Sequence, residues 1–449
     1  MEKLFGTDGI RGHAGSFPLD TETVREIGRS LAKQFTDRLG RVPRFVTGRD
    51  TRESGESIEA AFHSGATEAG AQCRSAGVIT TPGVAYLTGR FEFDAGIVIS
   101  ASHNPYEDNG IKIFSPDGKK IDEPTERAIE RDIHASQSSN GTAQAAIDLD
   151  TTHASEYQDA YLAHLENEVD GLRLDGLRLA VDCANGAASH LAPDLLRRLG
   201  AEVIVFNDQP DGRNINLNCG SLHLDQLQAK VVEEKADFGV AFDGDADRAL
   251  FVDESGMIVD GDATLWVMSR FMKDSGQLAN GKVVATVMSN IGLELALSSI
   301  GLELVRTAVG DKYVLDELLR SDSELGGEQS GHVIFPRESL VGDGMMTSLF
   351  MLQAMRSRGA ALSKMTEGFV RYPQTLVNVK VREKRPFDDV AAIASASRSI
   401  ENELAGKGRL LLRYSGTENL ARVMIEGQEQ AEIERQANGL AEVIKANLG

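Results

Sequence analysis

Cysteine is scarce in this chain of 449 residues. The three present, Cys73, Cys183 and Cys219, are odd in number and widely spaced. That excludes a disulfide framework and a zinc cluster, and points to a reducing, cytoplasmic setting. Long apolar runs are also missing. No stretch approaches the ~20 residues of a membrane-spanning helix, and the start, Met1-Glu2-Lys3-Leu4-Phe5-Gly6, lacks the apolar core of a secretion signal. Positive charge is in deficit: 47 Lys and Arg stand against 68 Asp and Glu, for a formal charge of -21. Nucleic acid and anionic membrane are therefore excluded as main partners, and an anionic substrate would need a local basic exception. No Gly-x-x-x-x-Gly-Lys-Ser/Thr stretch occurs, which excludes a nucleotide P-loop.

What is present is the grammar of several α/β domains. Hydrophobic residues make up 41% of the chain and charged residues 26%, ordinary for globular domains that each bury a core. Helical patterns near 21–39 and up to about residue 70 alternate with strands at Phe45–Thr47, near Val78–Ile79, and at Ala95–Ile99. A short strand, Gly110–Phe114, carries Lys112 between apolar neighbours. The polar stretch Ser136–Thr142 reads as a linker. A helix near 152–168 and strands at Leu177–Asp182 and Val203–Phe206 open a second βαβ unit. A helix near 262–273 and strands at Val283–Val287 and Leu302–Val305 open a third. From about residue 370 the style changes to a smaller α+β domain, with strands Thr375–Val379, Leu410–Leu412 and Arg422–Ile425. The expected domains are 1–150, 151–256, 257–368 and 369–449, three similar mixed α/β domains followed by a smaller C-terminal one.

Each α/β unit delivers a polar loop from a strand end. The first is Ser100-Ala101-Ser102-His103-Asn104-Pro105, after the buried run Ala95–Ile99. Strand ends are where α/β proteins place ligands, so Ser102 is a candidate nucleophile, with a purely structural turn as the alternative. The second is Asp243-Gly244-Asp245-Ala246-Asp247-Arg248, between two apolar strands. Three close carboxylates repel unless a cation joins them, and oxygen-only ligands favour Mg²⁺ or another hard divalent ion. An EF-hand fits poorly, since Arg248 stands where glycine is needed and both flanks read as strands. A phosphatase using Asp243 as nucleophile is a rival reading, but it gives the Ser102 loop no task. The third loop, Gly327-Glu328-Gln329-Ser330-Gly331-His332, offers Glu328 and Ser330 for sugar hydroxyls or an amine and His332 for proton transfer. In the C-terminal domain, Arg413 and Arg422 flank Ser415-Gly416-Thr417, whose hydroxyls and backbone N–H groups suit an anion. Arg11, in the glycine-rich opening Phe5–Gly12, reads as part of a solvated turn unless it meets an anion.

These motifs, in this order, resemble the α-D-phosphohexomutase family over essentially the whole chain. The opening Phe-Gly-Thr-Asp-Gly-Ile-Arg-Gly and Gln329 resemble the branch that acts on glucosamine phosphates, although that branch usually has proline where Tyr414 and Asn419 stand. The resemblance implies four domains around a central cleft, a phosphoserine at Ser102, and Mg²⁺ held by Asp243, Asp245, Asp247 and the seryl phosphate. It further implies exchange between the 6- and 1-phosphates of glucosamine through glucosamine 1,6-bisphosphate, which (or glucose 1,6-bisphosphate) would prime the enzyme. By position, Arg11, Lys112, Arg248 and His332 would surround the reacting phosphate, and Glu328 and Ser330 would touch the sugar. Arg413, Ser415, Gly416, Thr417 and Arg422 would hold the idle phosphate. A homodimer is the family expectation. A mannose or glucose phosphate mutase of the same family and a non-catalytic sugar-phosphate sensor are the alternatives.

Overall fold

A computed structural model describes residues 3–136, 147–415 and 418–449. Most of the linker read at 136–142, together with Gly416 and Thr417, falls outside the described residues.

The first sheet contains β1 (Phe5–Gly6), β2 (Gly9–His13), β3 (Arg44–Arg49), β4 (Gln72–Val78), β5 (Ala95–Ile99) and β6 (Asp108–Phe114), in the order β1-β2-β6-β5-β3-β4. The strand expected near Val78–Ile79 begins earlier, at Gln72. Pairing with β3, from Arg44↔Gln72 onward, organises residues that carry little apolar alternation. The second sheet holds β7 (Arg178–Asp182), β8 (Glu202–Phe206), β9 (Phe238–Phe242), β10 (Ala249–Asp253) and β11 (Ile258–Val259), in the order β11-β10-β9-β7-β8. The third holds β12 (Lys282–Thr286), β13 (Glu303–Thr307), β14 (Gly326–Gly327) and β15 (Val333–Ile334), in the order β13-β12-β14-β15.

One four-strand pattern recurs in all three. In β6-β5-β3-β4, β10-β9-β7-β8 and β15-β14-β12-β13, the last three strands run parallel and the first antiparallel. The polar loops leave β5, β9 and β14, the strands after which the chain reverses into its antiparallel neighbour. Each polar loop therefore sits at the carboxyl end of a parallel strand, where α/β sheets present side chains to ligands. Strands on both flanks of the aspartate loop rule out the EF-hand.

Helices cover the sheets through apolar faces. Thr21–Leu39 is capped by Asp20, whose carboxylate accepts from Thr23 N, and ends at Gly40 in the left-handed region. Its buried face (Val24, Ile27, Leu31, Phe35) joins Phe45, Phe62, Ile97 and Ile113 in one core.

The described residues form two compact units. One runs to Met288 and includes Leu302–Glu367. The other combines Ser289–Gly301 with Gly368–Gly449. In the second unit, β16 (Gln374–Lys380), β17 (Arg409–Tyr414) and β18 (Leu420–Glu426) form an antiparallel sheet in the order β16-β18-β17. The helix Ile291–Ser299 belongs to this unit, held by Ile291 N donating to the buried Glu426 carboxylate at 3.0 Å.

Candidate active site

The chain leaves β5 and turns at Ser102, which adopts φ 53°, a left-handed conformation that crowds a residue with a Cβ. This turn buries Ser102 and aims its hydroxyl out of the sheet. Ser102 Oγ donates to Asp243 Oδ2 at 2.5 Å, although 141 residues separate them. The Ser102 N–H donates to Ser100 Oγ at 2.9 Å, and Ser100 Oγ donates to Asp50 Oδ2 at 2.7 Å.

Asp243, Asp245 and Asp247 are all buried, and one carboxylate oxygen from each lies within 4.8 Å of the others. Burial, then the neighbouring Asp247 and Asp245 charges, holds the Asp243 carboxyl well above the usual carboxylate range. Oδ1 of Asp245 and Oδ1 of Asp247 are buried without a hydrogen-bond partner among the described residues. Unsatisfied carboxylate oxygens inside a protein are costly. An oxygen-only set with two such atoms and a strongly raised carboxyl fits a hard divalent cation.

The other oxygens of these carboxylates face lysine. Lys112, on β6 and only 1% exposed, donates to Asp245 Oδ2 at 2.9 Å and Asp247 Oδ2 at 3.2 Å, and pairs with Asp8 Oδ2 at 3.1 Å. Burial opposes its charge, but these three carboxylates raise it well above its ordinary value. Thr81 Oγ1 adds a 2.5 Å bond to Asp245 Oδ2. Arg11, partly exposed, meets an anion within the chain, Asp8 at 2.5 Å, and Asp8 also pairs with Lys120 at 2.8 Å. Arg248 Nη1 donates to His103 Nδ1 at 3.0 Å. Burial, with Arg248 and Arg11 nearby, pushes His103 down to about 4, so it is a neutral acceptor near neutrality.

On the third loop, His332 Nε2 accepts from Gly342 N at 3.2 Å while Nδ1 faces Asp247 Oδ1 at 3.8 Å, too far for a hydrogen bond. Gly342 is glycine because a Cβ there would lie 2.5 Å from the imidazole. Glu328 Oε1 accepts from Gly310 N at 3.1 Å, and Ser330 Oγ lies 3.4 Å from Glu328 Oε2. Arg11, His103, Asp247, Arg248, Glu328 and His332 line one cavity of about 450 Å³. Its guanidinium groups suit phosphate, and its carboxylate and imidazole suit a polar, hydroxyl-rich ligand.

The first unit thus brings together Ser102, the three aspartates, Lys112, Arg11, Arg248, Glu328, Ser330 and His332. Of the other predicted residues, Gly416 and Thr417 fall outside the described residues, and Arg413, Ser415 and Arg422 lie in the second unit. There Arg413 and Arg422 sit directly opposite each other on β17 and β18. Burial and the Arg422 charge lower Arg413 from its ordinary value. Arg422 Nε is buried with no hydrogen-bond partner among the described residues. Tyr414, where the resembling branch usually has proline, stacks on Phe387 at 4.2 Å and donates to Arg385 O at 2.5 Å. The strand end is therefore stiffened by ring packing. Lys384 Nζ, donating to Ser415 O at 2.8 Å, joins the site's predicted residues.

Sequence reading missed Asp8, Asp50, Arg52, His103, Lys120 and Asn216. The only signal was local: Asp8 and Arg11 share one glycine-rich stretch, and Asp50 and Arg52 follow a strand end.

The family described as phosphoglucomutase/phosphomannomutase matches in four successive parts. Its alpha/beta/alpha domain I matches residues 2–140, domain II 159–256, domain III 260–372 and the C-terminal domain 376–443. A phosphoglucosamine mutase of Solibacter usitatus is 49% identical over 446 residues, 99% of each chain. Among solved structures, a phosphoglucomutase/phosphomannomutase family protein of Burkholderia thailandensis superposes with a TM-score of 0.79 at 24% identity, covering 100% of this chain and 98% of that one. An Aspergillus fumigatus N-acetylphosphoglucosamine mutase, solved with GlcNAc-6P and magnesium, gives 0.67 at 18% identity, covering 99% and 95%. With four domain matches in order and near-half identity over almost the full length, the chain belongs to the phosphoglucomutase/phosphomannomutase family of phosphohexomutases.

Proposed function

We propose that this enzyme interconverts glucosamine 6-phosphate and glucosamine 1-phosphate, with Ser102 as the phosphate carrier. The observation that carries the reading is the 2.5 Å contact between Ser102 Oγ and Asp243, beside two buried carboxylate oxygens without partners. The full-length relative from Solibacter usitatus, a phosphoglucosamine mutase, supports the choice of sugar.

The phosphoryl group on Ser102 Oγ passes to O1 of glucosamine 6-phosphate. The P–Oγ bond breaks as P–O1 forms, the O1 proton leaves to a base, the role we give His332, and Ser102 Oγ takes up a proton as it leaves. Lys112, kept charged by its three carboxylates, acts electrostatically. The resulting 1,6-bisphosphate turns end for end, and its 6-phosphate returns to Ser102, releasing glucosamine 1-phosphate. Added glucosamine or glucose 1,6-bisphosphate would prime unphosphorylated enzyme. Arg11, Lys112 and Arg248 neutralise charge on the transferring group, where fixed charges in a dry site act most strongly. Asp243, Asp245 and Asp247, with an oxygen of the seryl phosphate, would hold Mg²⁺, which supplies charge neutralisation of the phosphoryl oxygens. Magnesium in the Aspergillus fumigatus relative supports that ion. Glu328 and Ser330 contact the sugar, and Arg413, Ser415, Gly416, Thr417 and Arg422 take the idle phosphate.

The working domains are 1–150, 151–256, 257–368 and 369–449. The three cysteines, all free, suit a reducing cytosol. A homodimer is the expected assembly, read by light scattering. The test of function compares glucosamine, mannose and glucose 6-phosphates side by side with bisphosphate primer. Glucosamine 6-phosphate should give the highest kcat/KM. Preference for mannose or glucose would move the enzyme to a sibling activity, and binding without turnover would make it a sensor.

A further inference from the structure

The Ser102 carbonyl oxygen is a meeting point of three loops. Arg52 Nη2 donates to it at 2.9 Å, and so does Asn216 Nδ2, also at 2.9 Å. The same two donors reach the Asn104 carbonyl, at 2.8 Å and 3.1 Å. Gly244, inside the aspartate loop, packs against the same atoms. A Cβ there would stand 2.5 Å from Ser102 O and 3.0 Å from Asn216 Nδ2. Two carbonyls two residues apart, each held by two donors, fix the turn that carries Ser102 and oppose the crowding of its left-handed backbone.

The two donors come from different places. Arg52 follows β3 of the same sheet as Ser102, and its fully buried guanidinium also reaches Asp50, Pro105 and Asp108. It builds the loop from within. Asn216 lies between β8 and β9 of the sheet that bears the aspartates, and its own N–H is tied to Ala184 O at 2.9 Å. It therefore fixes the serine backbone to the metal-binding side. The hydroxyl bond from Ser102 to Asp243 cannot do this throughout a cycle, because Oγ loses its proton once it carries phosphate. The Asn216 bonds engage only backbone carbonyls and are indifferent to the state of Oγ.

We propose that Asn216 is a positioning residue that holds Ser102 in register with Asp243, Asp245 and Asp247 in both the free and phosphorylated enzyme. The inference rests on Ser102 as phosphate carrier. A shift of about 1 Å in a reacting atom can lower a rate about a hundredfold, so loss of this donor should appear in the chemical step.

Two variants test it. Asn216 has φ 58°, which Gly and Asp both tolerate. Asn216→Gly keeps the backbone and deletes the donor. Asn216→Asp keeps the shape and turns acceptor oxygens toward two carbonyls. Both should lower kcat about 10- to 100-fold, with KM for the best sugar phosphate within about twofold and melting within a few degrees of wild type. Asn216→Asp should be at least as impaired as Asn216→Gly. Wild-type kcat in Asn216→Asp, or a melting loss with kcat unchanged, overturns the proposal. A wild type that turns over none of the three sugar phosphates overturns the functional reading and this inference together. An active wild type with unaffected variants overturns the inference alone.

Discussion

Lys112→Met should expose how much of the site's stability depends on one cation. Lys112 Nζ lies 2.9 Å from Asp245, 3.2 Å from Asp247 and 3.1 Å from Asp8. Methionine keeps most of the side chain's volume, so packing changes little and the charge is what is lost. Removing one member of a buried ion cluster costs about 3–5 kcal/mol, because the remaining charges lose their compensation. At about 2 °C per kcal/mol for a unit this large, melting should fall by roughly 6–10 °C in EDTA. Saturating Mg²⁺ should recover part of that loss, and stabilise the mutant more than the wild type, since a second cation source matters more where the first is gone. Turnover should fall about 10²- to 10³-fold, the cost of deleting one charge-stabilising group at a transferring centre. The pH dependence has a definite sign. Lys112 titrates well above 10.5 when folded, so its contribution is intact below that value and lost only as pH rises through the folded one. The gap between mutant and wild type should therefore be flat from about pH 6 to 9. Differential scanning calorimetry with and without Mg²⁺, alongside steady-state assays, measures all three effects. A mutant that melts with the wild type and turns over normally would refute the assigned ion cluster.

Asp245→Asn should lose most turnover while the protein stays folded, and EDTA should abolish wild-type activity reversibly; full activity after exhaustive chelation would exclude the metal role. Arg413→Ala should cost about 30- to 150-fold in kcat/KM for every sugar phosphate, the loss of roughly 2–3 kcal/mol from one charge-assisted contact. Added bisphosphate should be needed in greater amount, and an unchanged KM without bisphosphate leakage would mean the strand end is an ordinary surface. His63, buried against Thr47 at 2.8 Å, is pushed by burial down to about 4. The unfolded chain takes up this proton below about 6.5 and the folded one does not, so wild type should lose roughly 2 kcal/mol from this residue between pH 7 and pH 5. His63→Gln should lack that slope in urea titrations at the two pH values, and equal slopes would contradict the assignment.

Most of the chemistry was legible because it sits in contiguous loops whose residue types conflict with any bland use. Three alternate aspartates between apolar strands demand a cation, and a serine at the end of a buried strand invites a partner. The repeated sheet pattern was legible only in part. β14 and β15 are two residues each, Gly326–Gly327 and Val333–Ile334, and exist through pairing rather than composition. Arg52 and Asn216 were invisible for a different reason. Their partners are backbone carbonyls 50 and 114 residues away, and no side-chain pattern announces a carbonyl. Lys120 and Asp8 likewise look like surface charges until the fold sets them 2.8 Å apart beside Lys112.

The central claim is that Ser102 hands its own phosphate to the sugar. Enzyme labelled with [³²P]phosphate, stripped of free bisphosphate and mixed with glucosamine 6-phosphate, tests it in a single turnover. Peptide mapping should first place the label on Ser102, and Ser102→Ala should carry none and show no activity. On mixing, label should leave the protein and appear in glucosamine bisphosphate and then in glucosamine monophosphate. Label that stays on the protein, leaves as inorganic phosphate, or maps to Asp243 would contradict the account.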